Sequence, residues 1–517
     1  MWVYPEIASM ADVTRYHARL RGDALAFWFG QSTISWRDFD SRASRIANAF
    51  IARGASASGA IAFYGKNSNT FLELMFGSFK ANVPFLPLNW RLTAHELGTI
   101  LADSDPSIIF VERAFAETLA KALDMAGRAS PEIVQFDPTA GHFDELDQFV
   151  VSANCDDPML TIPLHHTALR LYTSGTTGQP KGVELSHGSF MHMRLCEHFE
   201  PALRWDTEDV YLFVLPNYHL AGIGICLQSL YNGGAVSILP EFQPAAVLRA
   251  IRETRPSIAM LVPATIQMLL DHSDAASTDF SCFRLVMYAG SPISLGLIKR
   301  AIAEMKCEFM QFYGATETSG AATLLRPNEH DFNNEQNLKS CGTPLPLIEI
   351  RIVDPDGRDV AHGETGEFLI RTPSIFKEYF NKPADTKATK ENGWYRSGDA
   401  GYKAKNGLYF IVDRVKDMIV SGGANIYSTE VENVLSKHPS VVQSAVIGIP
   451  DDKWGEAVKA LVILKKGALV NSDELIAFCR EYIAGYKVPK SIDFVEAFPM
   501  TPTGKVLKRE LRRQHAH

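Results

Sequence analysis

Short apolar runs alternate along the chain with stretches in which apolar residues recur every three or four positions. IAFYG (61–65), SIIFV (107–111), ALRLYTSG (168–175), VYLFVLP (210–216), AVSILP (235–240), SIAMLVP (257–263), RLVMYAG (284–290) and FMQFYG (309–314) read as buried strands. Between them, SWRDFDSRASRIANAFIARG sets Phe39, Ala43, Ile46, Ala47 and Phe50 on one helical face, with Ser35 as N-cap. The alternation predicts an α/β protein, a class that gathers its ligands in loops at strand ends.

From about residue 347 the texture changes. IEIRIV-DPDG-RDVAHGETGEFLIR predicts two strands about a Pro-Asp-Gly turn, and GYKAKNGLYFIV repeats the plan around Asn406 and Gly407. A polar connector, DRVKD (413–417), leads into MIVSGGANIYSTEVENVLSKHP, where Thr429 and Glu432 have the spacing of a capping box. SAVIGIP, KALVILKK, a helix over 472–483 and SIDFV complete a small α+β unit of about one hundred residues. The expected division is 1–412, a hinge at 413–417, and 418–517.

Composition narrows the function classes. A chain of 517 residues has room for two or more folding units. Its 51 basic and 59 acidic residues leave a net charge of −8, which supplies neither a nucleic-acid footprint nor a polybasic membrane patch. Cysteines at 155, 196, 226, 282, 307, 341 and 479 form no CxxC and no His/Cys cluster. That pattern fits a reducing compartment and argues against a disulfide framework or structural zinc. The longest apolar stretch, FLELMFGSFKANVPFLPL, is broken by Glu73, Lys80 and Pro84, so no transmembrane segment is expected. The start carries Glu6 and Asp12 without a signal-peptide core, and the closing HAH is read as neither a peroxisomal nor a prenylation signal. The expectation is a cytoplasmic monomer or homodimer with, at most, peripheral membrane contact.

One polar stretch, YTSGTTGQPKGV (172–183), follows directly on an apolar run. Thr173, Ser174, Gly175, Thr176, Thr177 and Gly178 offer backbone N–H and hydroxyl donors to an anion, and Lys181 adds a positive charge. It is not a Walker A loop: Pro180 stands where the second Gly belongs, and Gly182 follows Lys181 where a hydroxyl is needed. A nucleophile elbow fails as well, because Tyr172 and Thr173 precede Ser174. A solvated linker has the same composition, but not this order of residues. The stretch resembles the hallmark of the adenylate-forming superfamily of acyl-CoA synthetases, firefly luciferase and peptide-synthetase adenylation domains. YGATE (313–317), YRSGD (395–399), DRVKD (413–417) and PTGKVLKREL (502–511) resemble later segments of that family in the same order. The similarity spans most of the chain and is nearest to bacterial fatty-acid–CoA ligases.

The resemblance implies a large N-terminal α/β domain of flanked β-sheets with a small β-barrel-like part, and a small mobile α+β C-terminal domain. It implies an acid–thiol ligase that uses ATP, Mg2+ and coenzyme A. A carboxylate attacks the α-phosphate to give an acyl-adenylate, and CoA then takes the acyl group. The loop with Lys181 would hold the β- and γ-phosphates. Glu317, otherwise an ordinary surface acid, becomes the magnesium ligand, with Thr316 a phosphate donor. Tyr313, Gly314 and the Gly290 segment fall on the adenine side, while Asp399 and Arg414 take the ribose. Lys505, otherwise a solvated turn lysine, bridges carboxylate and α-phosphate. Lys416 holds the hinge position, and rotation there presents Ser421, Gly422 and Gly423 to the pantetheine path. Ala424 and Ser428 depart from the frequent Glu and Pro of that stretch.

PNYHLAG (216–222) resembles the family's acyl-pocket segment, in which His219 acts as an aromatic gate. Tyr218, Gly290, Phe312 and Ala315, together with Tyr288, Met310 and Ala321, are expected to shape an apolar pocket. No Arg stands in these segments to hold a second carboxylate. A medium- or long-chain fatty acid is the leading substrate, with an aromatic (cinnamate-like) or steroid side-chain acid as the alternative. A free-standing adenylation enzyme that loads a carrier protein shares the chemistry, although no carrier domain follows. A non-catalytic binder has no need to keep Lys181, Glu317, Asp399, Arg414 and Lys505 together.

Overall fold

In a computed structural model the apolar runs form strands and the periodic stretches form helices. The structure describes residues 2–127, 131–137, 144–174, 180–421, 424–451, 453–500 and 506–515. Two compact units emerge, one of Met1–Glu349 with Ile370–Tyr395 and one of Ile350–Leu369 with Arg396–His517.

Two sheets build the first unit. The larger runs Thr343–Pro344, Gly320–Leu325, Glu308–Ala315, Leu285–Tyr288, Ile258–Leu261, Val210–Phe213, Ala235–Ile238, Leu25–Phe29, Ser32–Ser35. Its interior pairings are parallel and its edges antiparallel. The second runs Glu378–Tyr379, Pro180–Ser186, Thr167–Ser174, Phe85–Pro87, Ile61–Tyr64, Ile108–Glu112, Glu132–Phe136. Parallel strands are covered on both faces, which is why they read as unbroken apolar runs; Ile61, Ala62, Phe63 and Tyr64 are all buried. Ser35 caps the helix Trp36–Ala52 as its sequence predicts, accepting from the Asp38 N–H at 3.1 Å.

The helices Pro244–Thr254, Pro263–Leu270 and Leu295–Met305 cover one face of the larger sheet. Val286, Tyr288 and Phe309 point into that layer, and the Tyr288 hydroxyl sits 3.0 Å from His330 Nε2. By strand alternation Met310 and Phe312 take the opposite face. Tyr288 therefore belongs to the helix-side core and does not share a face with Met310 and Phe312. Strand parity separates the faces, but it does not say which one meets a ligand.

His17 lies buried on the helix Val13–Arg21, its Nε2 3.0 Å from the Tyr231 carbonyl. Burial pushes its pKa down to about 4, against 6.5 ordinarily. The unfolded chain thus binds this proton first as the pH falls, and stability present above 6.5 is lost on the way to 4. The loss attributable to His17 is on the order of 3 kcal/mol. Urea unfolding at pH 7 and pH 4.5 should show a steeper decline in the parent protein than in His17→Gln.

In the second unit the strand Trp394–Lys403, from Arg396 onward, pairs antiparallel with Tyr409–Arg414, joined around Asn406 and Gly407 as expected. The other hairpin differs from its sequence reading: after the turn at Asp354 and Gly357, the return strand begins only at Gly366. A further sheet runs Ala424–Ile426, Ile419–Ser421, Gly455–Leu464, Val441–Asp451, with Ser491–Phe494 also paired to Gly455–Leu464. Val431, Leu435, Val446, Val458, Leu475 and Cys479 fill its core against helices Ser428–Leu435 and Ser472–Tyr482. The capping box expected from Thr429 and Glu432 does not form. Asp413 Oδ2 instead accepts from the Ser428 hydroxyl at 2.6 Å and the Thr429 N–H at 3.3 Å, so a distant carboxylate caps this helix. The Thr429 hydroxyl donates to the Val412 carbonyl, and Glu432 pairs with Lys508 at 2.7 Å.

Candidate active site

Strand Thr167–Ser174 turns back into Pro180–Ser186 with Thr173 opposite Lys181, so the hairpin's register fixes where the lysine stands. Gly175, Thr176, Thr177 and Gly178 lie outside the described residues. Lys181 is buried, pairs with Asp385 on the helix Pro383–Thr389, and has Nζ 5.1 Å from the centre of the Tyr379 ring.

Tyr313, Gly314 and Ala315 end a strand, and Thr316, Glu317 and Thr318 form the 3-10 turn that follows. A side chain at Gly314 would place Cβ 2.2 Å from the Gly320 carbonyl oxygen, so only glycine permits the two strands to close there. Thr318 Oγ1 locks the turn, accepting from the Ala315 N–H at 3.0 Å and donating to the Gly320 carbonyl at 2.7 Å. Glu317 is 9% exposed, and its carboxylate accepts the Tyr379 hydroxyl at 2.7 Å on Oε1. Burial first, and Glu317 second, push the Tyr379 phenol upward, so it stays protonated and donates.

Among the described residues no Lys or Arg pairs with Glu317, and no cluster of three or more His, Cys, Asp or Glu forms a self-sufficient metal cage. A buried carboxylate without a counter-cation fits a hard divalent ion that takes its remaining ligands from phosphate oxygens and water.

Gly290 follows the parallel strand Leu285–Tyr288 with φ +89°, beside the strand that ends at Ala315. Both loops therefore leave the carboxyl ends of adjacent parallel strands, the usual ligand side of such a sheet. Tyr218 and His219 precede the helix Leu220–Tyr231, their rings edge to face at 4.6 Å. Burial raises the Tyr218 phenol to about 12. Phe312 is nearly buried one residue before Tyr313.

In the second unit Asp399 stands opposite Arg414 across an antiparallel pair, with Arg414 Nε 2.7 Å from Asp399 Oδ1. Lys416 follows in a single 3-10 turn, and burial, then the nearby Arg414, Arg512 and Arg509, lower its ammonium pKa. Ser421 pairs with Ala424 and Gly455. Gly422, Gly423 and Lys505 lie outside the described residues; Met500 and Val506 bridge antiparallel to one another. All seven cysteines are free thiols, and no helix among the described residues is long and apolar enough to cross a membrane.

Tyr379 and Asp385 escaped the sequence reading. Neither falls in a recognisable motif, and the pairing of Glu378–Tyr379 with Pro180–Ser186 brings them to the site.

The chain belongs to the AMP-binding enzyme family, whose model matches residues 14–380; the model of the AMP-binding enzyme C-terminal domain matches 430–505. It is thus an enzyme of the AMP-forming acyl ligase class. A feruloyl-CoA synthase from Amycolatopsis sp is 36% identical, with 96% of this chain and 97% of that protein covered. The fatty acid–[acyl-carrier-protein] ligase ScoC of Streptomyces coeruleorubidus is 34% identical, with 98% and 97% covered. The long-chain-fatty-acid–CoA ligase FadD13 of Mycobacterium tuberculosis is 32% identical, with 93% of each covered. Among solved structures, ATP-bound MatB from Rhodopseudomonas palustris aligns with a TM-score of 0.87 at 28% identity, covering 98% of this chain and 99% of that one.

Proposed function

We propose that this enzyme is an ATP- and Mg2+-dependent acid–CoA ligase for an apolar monocarboxylic acid, with a medium- or long-chain fatty acid its leading substrate. The observation that carries the reading is the buried Glu317, without a Lys or Arg partner among the described residues, joined through Tyr379 to the hairpin lysine, Lys181. A carboxylate is a poor electrophile, since its leaving group would be oxide. One carboxylate oxygen attacks the α-phosphorus and pyrophosphate leaves; the CoA thiol then attacks the carbonyl carbon of the adenylate and AMP leaves. Magnesium, when bound, neutralises the phosphates and holds pyrophosphate as a leaving group.

In this reading residues 173–178 and Lys181 grip the departing phosphates, Thr316 donates to them and Glu317 holds the metal. Tyr313, Gly314 and Gly290 border the adenine, while Asp399 and Arg414 take the ribose hydroxyls. Lys505 stabilises the charge building between carboxylate and α-phosphate. His219 gates an acyl pocket bordered by Tyr218, Phe312 and Ala315. The working division is 1–412 and 418–517 about the hinge 413–417. Rotation at Lys416 exchanges Lys505 for the Ser421, Gly422 and Gly423 face between half-reactions. We assign the enzyme to the cytoplasm, where ATP and CoA are available and free thiols persist.

Two relatives support other acyl partners. Feruloyl-CoA synthase, at 36% identity, favours an aryl acid, and ScoC, at 34%, favours a carrier-protein acceptor. Incubation with ATP, Mg2+, CoA and a panel of fatty, cinnamate-like and steroid side-chain acids distinguishes them. Acid-dependent pyrophosphate release with thiol consumption for a fatty acid upholds the proposal. Turnover of aryl acids alone moves the substrate to that class. Pyrophosphate exchange without thiol consumption moves the acceptor to a carrier protein, and silence across the panel refutes the ligase.

A further inference from the structure

The stretch 374–389 touches both charged halves of the nucleotide site. Phe376 donates its N–H to the Glu317 carbonyl at 2.8 Å, and the Ser374 hydroxyl donates to the Thr318 carbonyl at 3.0 Å, tying the stretch to the turn that carries Glu317. Lys377 donates its N–H to the Glu184 carbonyl at 2.8 Å and Phe380 to Gly182 at 2.7 Å, tying it to the strand that carries Lys181. Tyr379 lies between these anchors, opposite Val183, with its own N–H given to Thr386 Oγ1 at 2.9 Å. Backbone, side chain and helix thus hold one phenol in one place. Its hydroxyl meets Glu317 and its ring faces Lys181, while Asp385, 37% exposed on its side chain, neutralises that lysine from the helix.

We propose that Tyr379 is the positioning residue of the nucleotide site, and that Asp385 is the resident counter-ion of Lys181, which nucleotide phosphate must displace. The Tyr379 hydroxyl engages Oε1 of Glu317 and so fixes the carboxylate's rotation, leaving Oε2 as the oxygen for a cation instead of two that rotate freely. The aromatic face steadies the ammonium without claiming its protons, and Asp385 keeps it aimed while phosphate is absent. On ATP binding Lys181 exchanges one carboxylate for a polyphosphate; no bond is made or broken in the chain. The inference rests on the assignment of Glu317 as metal ligand and of Lys181 as phosphate contact.

Calorimetric titration of the full chain with ATP, in excess Mg2+ and in EDTA, tests it without turnover. Tyr379→Phe keeps the ring and removes one hydroxyl. Mg2+-ATP affinity should fall about tenfold, as for a lost hydrogen bond to a charged group, while metal-free ATP affinity stays within about twofold. Asp385→Asn should bind metal-free ATP about threefold more tightly, because a partly exposed ion pair no longer has to be broken. Equal loss with and without metal in Tyr379→Phe overturns the positioning role. Weaker or unchanged ATP binding in Asp385→Asn overturns the counter-ion role. Glu317→Gln separates this inference from the reading beneath it. If that variant keeps the full Mg2+ gain in affinity, the metal assignment falls and takes this inference with it. If it abolishes the gain while Tyr379→Phe retains it, only the role of Tyr379 falls.

Discussion

Lys505→Ala slows acid-dependent pyrophosphate formation by about a hundredfold or more, equivalent to about 3 kcal/mol of transition-state stabilisation. Thioester formation from a supplied acyl-adenylate and CoA continues at close to the parent rate. The asymmetry follows from the chemistry. In the proposed first half-reaction a carboxylate anion approaches a phosphorus already surrounded by anionic oxygens, and on this assignment the lysine offsets charge where it accumulates. In the second, charge builds on the carbonyl oxygen and the departing AMP, but the proposed rotation at Lys416 has by then withdrawn Lys505. Single-turnover measurement of each half-reaction checks this, and equal loss in both would remove Lys505 from the adenylation step.

Arg170→Met destabilises the first unit by about 3–5 kcal/mol. Arg170 and Glu184 sit side by side on the hairpin that carries Lys181, both buried, with Arg170 Nη2 2.8 Å from Glu184 Oε1. Thr167 donates to Glu184 Oε2 at 3.0 Å, Arg170 Nη1 donates to the Ser104 carbonyl at 3.3 Å, and the guanidinium lies 3.3 Å from the Phe380 ring centre. Without Arg170 the carboxylate keeps one hydroxyl and Lys377, 3.4 Å away and 40% exposed. That is poor compensation for a buried charge. The double variant Arg170→Met with Glu184→Leu removes the orphaned charge and should recover most of the loss. Denaturant unfolding of the three proteins decides the matter; a double variant no more stable than the single would show that packing, not charge, governs the site.

Some of this was legible in the sequence and some was not, for physical reasons. Gly314 and Glu317 share one short stretch because a strand end and the turn that follows it are contiguous in the chain. Asp399 and Arg414 could be expected together because a hairpin with an Asn-Gly turn brings its two strands into register. Tyr379 is 62 residues from Glu317, and Asp385 is 204 residues from Lys181. Their chemistry is that of any tyrosine or aspartate until the sheet places them. The helix beginning at Ser428 shows the same limit. Local spacing suggested Thr429 and Glu432 as its cap, but a carboxylate arriving from Asp413 takes the Thr429 N–H instead. This also accounts for a serine where proline is frequent, since the Ser428 hydroxyl donates to that carboxylate. For Ala424 in place of the frequent Glu, nothing in the structure supplies a reason.

In the proposed reaction a carboxylate oxygen attacks the α-phosphorus. Turnover of an accepted acid carrying 18O in its carboxyl group, with ATP, Mg2+ and CoA, followed by mass analysis of the nucleotide, tests it most directly. The acyl-adenylate route transfers one labelled oxygen to AMP and none to pyrophosphate. Label recovered in inorganic phosphate, with ADP as the nucleotide product, would contradict it.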